Sequence, residues 1–206
     1  MPKAMIPMWW DICNVGYAQV RTNWRIGCVN MDYGLYTRDM GYRLYKKYKN
    51  TVHMIYCAHG TDKNNEPYYC HPTPFFDEYS RATTLSFVDV VVVNRDTNLI
   101  ELIAEIEESA AEPKKIIGDI MNIILSEQVR IKGEDYRYGD IAFILGRQTN
   151  PKGSAKEKTN LICQKLLQIN EKIGNKTVDL IPVFDNDLRE LIAKVESEID
   201  RKLALR

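Results

Sequence analysis

Residues 88–108 read VDVVVVNRDTNLIELIAEIEE, and the fold is decided there. Residues 88–94 form a β-branched, apolar run that favours a strand. Residues 94–98, NRDTN, cluster turn-forming side chains. From Leu99 onward the chain alternates, with Glu101, Ile103, Glu105 and Glu107 on one face and Ile100, Leu102, Ala104 and Ile106 on the other. That period of two belongs to a strand. Two strands about a short polar turn predict an antiparallel hairpin.

The register follows from the turn. A three-residue turn at residues 96–98 pairs Arg95 with Leu99 and sets Asp89 opposite Glu105, with Glu107 one pleat further along the same face. A turn one residue longer or shorter inverts the parity and separates these acids. In the expected register three carboxylates converge at the open end of an apolar hairpin. Gathered acids repel one another and raise each other's pKa. A divalent cation relieves that repulsion, and all-oxygen ligation suits Mg²⁺ or Mn²⁺. The plainer alternative is a half-exposed hairpin whose acids face water.

Asp89 on one strand and Glu105-Ile106-Glu107 on the next resemble the PD-(D/E)XK nuclease superfamily, which includes many restriction endonucleases and Holliday-junction resolvases. The resemblance covers roughly residues 75–150. Glu107 stands where the superfamily usually has Lys, as in a minority of restriction enzymes with an ExE ending, and Val88 stands where Pro is common. The resemblance implies a metal-dependent DNA endonuclease in which Asp89, Glu105 and the Ile106 carbonyl hold Mg²⁺ or Mn²⁺ and Glu107 serves the attacking water. It also implies that Lys114 or Lys115 supplies the missing cation from the following helix. Glu78, shortly before Asp89, is a secondary candidate acid.

The flanking sequence is consistent with an α/β, restriction-endonuclease-like three-layer fold, in which a mixed sheet with an antiparallel hairpin and a βαβ crossover is flanked by helices. Residues 32–50 carry a helical stripe (Tyr33, Tyr36, Met40, Leu44, Tyr48), weakened by Gly34 and Gly41. Residues 52–57 suit a strand. Pro113 opens a helix with Ile116, Ile117, Ile120, Ile123 and Ile124 on one face. Residues 130–138 are expected as a polar loop, 140–145 as a buried strand, and 146–154 as a flexible loop offering Arg147 and Lys152 to DNA. A helix over 155–173, with Ile162, Leu166, Ile169 and Ile173 inward, ends at Gly174. A strand over 178–184 and a helix over 187–205 complete the chain.

Composition bounds the rest. At 206 residues the chain is one expected domain, with an N-terminal part (1–74), a catalytic core (75–150) and a C-terminal extension (151–206). Lys+Arg and Asp+Glu both number 28, so no strongly basic coat is available for nucleic acid, although a local basic surface remains compatible. No apolar run approaches a membrane span and no secretory leader is evident, so a cytoplasmic protein without a membrane partner is expected. Five irregularly spaced Cys suit a reducing compartment. Cys57, His59, Cys70 and His71 are conceivable zinc ligands, but their spacing is not a standard one and adjacent Cys70 and His71 fit one centre poorly. Trp9, Trp10 and Trp24 read as core. The expected partners are DNA and a second copy of the chain, since cutting two strands calls for two sites. Two alternatives stand beside the nuclease. One is a catalytically inactive nucleic-acid- or protein-binding module on the same fold. The other is an unrelated α/β enzyme or small zinc protein.

Overall fold

In the computed structural model, which describes residues 34–60, 66–108, 113–149, 153–173 and 176–205, the chain runs α1 (Leu35–Tyr48), β1 (His53–Cys57), β2 (Thr73–Phe75), β3 (Val90–Asn94), β4 (Leu99–Glu107), α2 (Pro113–Leu125), β5 (Gln128–Ile131), β6 (Glu134–Gln148), α3 (Ala155–Ile173), β7 (Val178–Asp185) and α4 (Leu188–Leu203). The expectations for Trp9, Trp10, Trp24, Asp32, Tyr33, Lys152 and Gly174 lie outside the described residues. Among those described, no helix is long and apolar enough to cross a membrane.

The strands form one mixed sheet in the order β1-β3-β4-β6-β5-β2, with β7 also paired to β6. The hairpin β3–β4 is antiparallel, as is β1–β3, whereas β6 lies parallel to β4 across α2 and β7 lies parallel to β6. Fifteen-residue β6 serves two neighbours along one edge. Its first residues pair with β5 and its last eight with β7. Helices cover both faces. Ile116, Ile120, Ile123 and Ile124 of α2 and Cys163 and Leu166 of α3 pack on Val91, Val93, Ile103, Phe143 and Leu145. Met40 and Leu44 of α1 and Leu191, Val195 and Ile199 of α4 pack on Ile55, Val92, Leu102, Ala104 and Ile144. The chain is therefore an α/β protein with a mixed sheet flanked by helices. A central strand covered on both faces has no solvent side, so β4 is buried from Ile100 to Glu107, acids included.

The hairpin reaches its register by a different route from the expected one. Asn94 pairs with Leu99 and Val93 with Ile100, so the turn spans four residues, 95–98. Asn98 takes the left-handed conformation (φ 58°), and the Asn94 side chain accepts from the Asp96 and Thr97 N–H groups. A four-residue turn alone would put the acids on opposite faces. The shift between Val92 and Val93 skips Glu101 in the register, and Val92 then pairs with Leu102. This one-residue bulge restores the parity. It also corrects the expected face: Ile100 joins Ile103 in one core, while Glu101 leaves the Glu105–Glu107 face. Glu101 instead binds buried His53 on β1 and accepts a hydrogen bond from Asn94 Nδ2.

Other expectations are corrected by tertiary packing. Residues 130–138 are not a loop. Lys132 and Gly133 (φ 51° and 90°) make the tight turn between β5 and β6, the conformation a two-residue hairpin requires. Val129, Ile131 and Tyr136 alternate into the core there, an apolar period masked by the charges between them. β2 was hidden by Pro74, which is tolerated because the strand is at the sheet's edge. On α3 the buried face is Thr159, Cys163, Leu166 and Asn170, so Ile169 and Ile173 are exposed. Gly41 strengthens α1's contact: a Cβ there would lie 2.7 Å from Cys57 Sγ and 2.8 Å from Cys57 Cβ. Replacing Gly by Ala inside a helix ordinarily stabilises by about 1 kcal/mol, but overpacking costs about 1–3 kcal/mol. Gly41→Ala is therefore expected to lower the denaturant midpoint; a raised midpoint would show that α1 does not seat on β1 this closely.

Candidate functional site

The β3–β4 ladder ends at the pair Val90–Ala104, and Asp89 and Glu105 are the next residues along the two chains, at the end of the sheet where β4 finishes. A cleft of about 590 Å³ opens there. It is lined by Asp89, Glu105, Ile106 and Glu107 from the hairpin, Lys115 and Asp119 from α2, and His59 from the segment after β1. Clefts beyond the carboxyl ends of parallel strands are common ligand sites in α/β sheets.

Each acid has a distinct environment. Asp89 Oδ2 accepts from the Ile106 N–H at 2.8 Å, and Oδ1 lies 3.0 Å from His59 Nε2. The Asp89 carbonyl accepts from the Ala58 N–H, which ties the segment carrying His59 to β3. Glu105 is buried, and burial followed by the charges of Asp89 and Asp119 pushes its pKa well above the usual carboxylate range. Glu107 Oε1 lies 2.5 Å from Lys115 Nζ, whereas its buried Oε2 meets no donor among the described residues. Arg147 is its register partner on β6. Buried Asp119 Oδ2 also lacks a donor. Burial and the Glu107 charge, only partly countered by Lys115, raise the Asp119 pKa to about 7.

The hydrogen bond to Asp89 raises the His59 pKa, against the opposing effect of burial. Burial acts against the Lys115 ammonium, but its contact with Glu107 outweighs that and keeps the pKa raised. Glu108 turns the other way. Its carboxylate accepts from the Gly34 N–H (2.9 Å) and the Thr37 hydroxyl (3.0 Å), supplying from a distant strand the acidic cap that α1 lacks.

Asp89, Glu105, Ile106 and Glu107 are thus brought together, and Lys115 joins them. Lys114 is exposed and does not line the cleft. Glu78 is exposed on another loop, away from the carboxylates, and its carbonyl accepts from the Thr83 hydroxyl. Arg147 is no DNA-facing loop residue: it is buried on β6 and donates to Thr159 and the Ala155 carbonyl. The four conceivable zinc ligands have separate surroundings. Cys57 is buried beneath α1, His59 meets Asp89, and exposed His71 meets Tyr69 and Phe87. Cys57 and Cys70 are free thiols, each pushed up to about 12 by burial. Among the described residues no three His, Cys, Asp or Glu side chains form a ready-made metal cage. Sequence reasoning missed Asp119. Its signal was the spacing of four from Lys115, which puts both on one face of α2.

No protein family, curated protein or solved structure matches this chain.

The raised acids set a sign for pH dependence. An acid whose folded pKa exceeds its unfolded value binds its proton more tightly in the fold, so its stabilisation is complete below the unfolded value and lost as pH rises through the folded one. The raised His59 acts in the same direction. In divalent-free buffer the melting temperature should fall as pH rises from about 4, the ordinary Asp value, to the Asp119 value of about 7. Asp119→Asn should flatten that fall. Parallel wild-type and variant profiles would refute the environment assigned to Asp119.

Proposed function

We propose that this protein is a divalent-metal-dependent nuclease that hydrolyses phosphodiester bonds in DNA. The observation that carries the reading is the pair of buried, donor-less oxygens, Glu107 Oε2 and Asp119 Oδ2, in one cleft with Asp89 and Glu105. An uncompensated carboxylate oxygen in a low-dielectric setting is costly, and a hard cation with oxygen ligands relieves that cost. The donor set fits Mg²⁺ or Mn²⁺ better than zinc, since the oxygens dominate and no thiol lines the cleft. The order helix, antiparallel hairpin, helix and parallel strand supports a restriction-endonuclease-like arrangement, and the placement of Asp89, Glu105 and Glu107 supports a PD-(D/E)XK-like site.

Asp89, Glu105, Glu107 and Asp119 would hold the cation, which when bound supplies positive charge at the phosphate and a more acidic water. The chain's residues do the rest. Ile106 N–H and His59 fix the Asp89 carboxylate from two sides, limiting its rotation. Glu107 Oε2 is available to accept a proton from the attacking water. Lys115, on α2, places an ammonium beside Glu107 and so provides the cation absent from the strand position. Homodimerisation accords with cutting both strands of a duplex, and belongs to this proposal.

Asp89→Ala should abolish Mg²⁺- or Mn²⁺-dependent cleavage of plasmid or single-stranded DNA while leaving the melting temperature close to wild type. Lys115→Met should lower the cleavage rate by about 10²-fold or more, the size of a typical single acid–base or electrostatic contribution, whereas Lys114→Met should not. Cleavage that survives Asp89→Ala or the addition of EDTA would overturn the reading. Mn²⁺ binding without cleavage by the wild-type chain would instead favour the catalytically inactive module.

A further inference from the structure

The cleft has an aromatic wall that the carboxylate chemistry does not use. Phe87, two residues before Asp89, lines the cleft yet is 62% exposed. A Phe this open beside a charged site needs a reason. Its ring is backed by His71, with centroids 5.0 Å apart and planes tilted by 42°. His71 is backed in turn by Tyr69 at 5.4 Å, nearly edge-on at 74°, and Tyr69 Oη lies 3.0 Å from His71 Nε2. Tyr69 seats on Gly60, where a Cβ would come within 2.5 Å of the Tyr69 ring.

Both neighbours of Phe87 are held, one by its side chain and one by its main chain. Asn122 Nδ2 of α2 donates to Ser86 Oγ at 2.8 Å, and the Val88 N–H donates to the Pro72 carbonyl at 3.0 Å. The three rings thus form a supported ladder whose last ring, Phe87, is open at the cleft. Little ordering remains to be done when a flat ligand settles on it.

We propose that Phe87, braced by His71 and Tyr69, is a stacking platform for an unpaired nucleobase beside the cleaved phosphate, so that the preferred substrate is single-stranded or frayed nucleic acid. This rests on the nuclease reading for the position of the phosphate. A base within a duplex already has a neighbour on each face, whereas an unpaired base has a π-face to offer. The charge balance agrees: equal numbers of Lys+Arg and Asp+Glu, 28 each, give no excess of cations for holding a duplex by its phosphates alone. Stacking supplies affinity that does not depend on net charge.

The test uses the full chain with Ca²⁺ and a short oligonucleotide carrying one 2-aminopurine, presented as a single strand and as a duplex. The wild type should bind the single strand more tightly than the duplex and quench the 2-aminopurine. Phe87→Ala and Phe87→Leu should weaken single-strand binding by roughly 5- to 100-fold, the range of one base–aromatic stack, and lose the quenching, whereas Phe87→Trp should keep both. The exposure of Phe87 makes unfolding by these changes unexpected, and a circular-dichroism melt checks it. Equal affinity for single strand and duplex, or a Phe87→Ala variant that binds and quenches like wild type, overturns the platform. Cleavage with Mn²⁺ is read separately. Wild-type cleavage whose preference for single strands Phe87→Ala leaves unchanged keeps the nuclease and overturns the platform; quenching without cleavage keeps the platform and overturns the nuclease reading alone.

Discussion

One residue that the β3 register skips, Glu101, decides which side of the sheet every later acid on β4 occupies. The four-residue turn and the bulge are each out of phase with a regular ladder, and the two offsets cancel. Glu105 and Glu107 consequently face the same side as Ile103 and meet α2. Without the bulge they would point at α1 and α4, toward the apolar core of Met40, Leu102 and Val195. The bulge also has its own anchor, because displaced Glu101 is held by His53 and Asn94. Bulges commonly re-aim side chains next to functional sites.

Burying several acids within one end of a fold opposes stability, and the chain moderates this in three ways. Glu105 and Asp119 keep protons that ordinary carboxyls lose. Asp89 is surrounded by donors. Glu107 has cationic neighbours, Lys115 in contact and Arg147 in register across the strands. What these devices leave uncompensated is confined to two inward oxygens. That residual deficit sets this cluster apart from the surface ion pairs, such as Arg43–Glu196 or Lys194–Asp185, which are complete in themselves.

Much of this was legible in the sequence because it is local. The β-branched run after Asp89, the alternation after Leu99 and the Pro113 helix start are single-segment signals, and they place the hairpin and α2. The convergence of Asp89 with Glu105 was anticipated through the wrong turn length, with the bulge supplying the compensation. What could not be read was tertiary. Nothing adjacent to Glu101 says that His53 will receive it, and nothing adjacent to Glu108 says that it will cap α1. The burial of Arg147 depends on α3 arriving over it. The segment 130–138 looked like a loop because its charges are frequent, although they fall on the outward positions of a two-stranded ribbon. Cys57, His59, Cys70 and His71 were conceivable zinc ligands by residue type although their spacing fitted one centre poorly; the fold sends His59 to Asp89 and His71 to the ring of Phe87.

Glu105 and Asp119 both have raised pKa values, so this end of the sheet gives up protons later than ordinary carboxyls do. On the proposed metal reading, a cation entering the cleft would displace such protons, and occupancy and proton release would be thermodynamically linked. Grip on the ion would then tighten in alkaline surroundings and slacken in acidic ones, without movement of a single strand or helix.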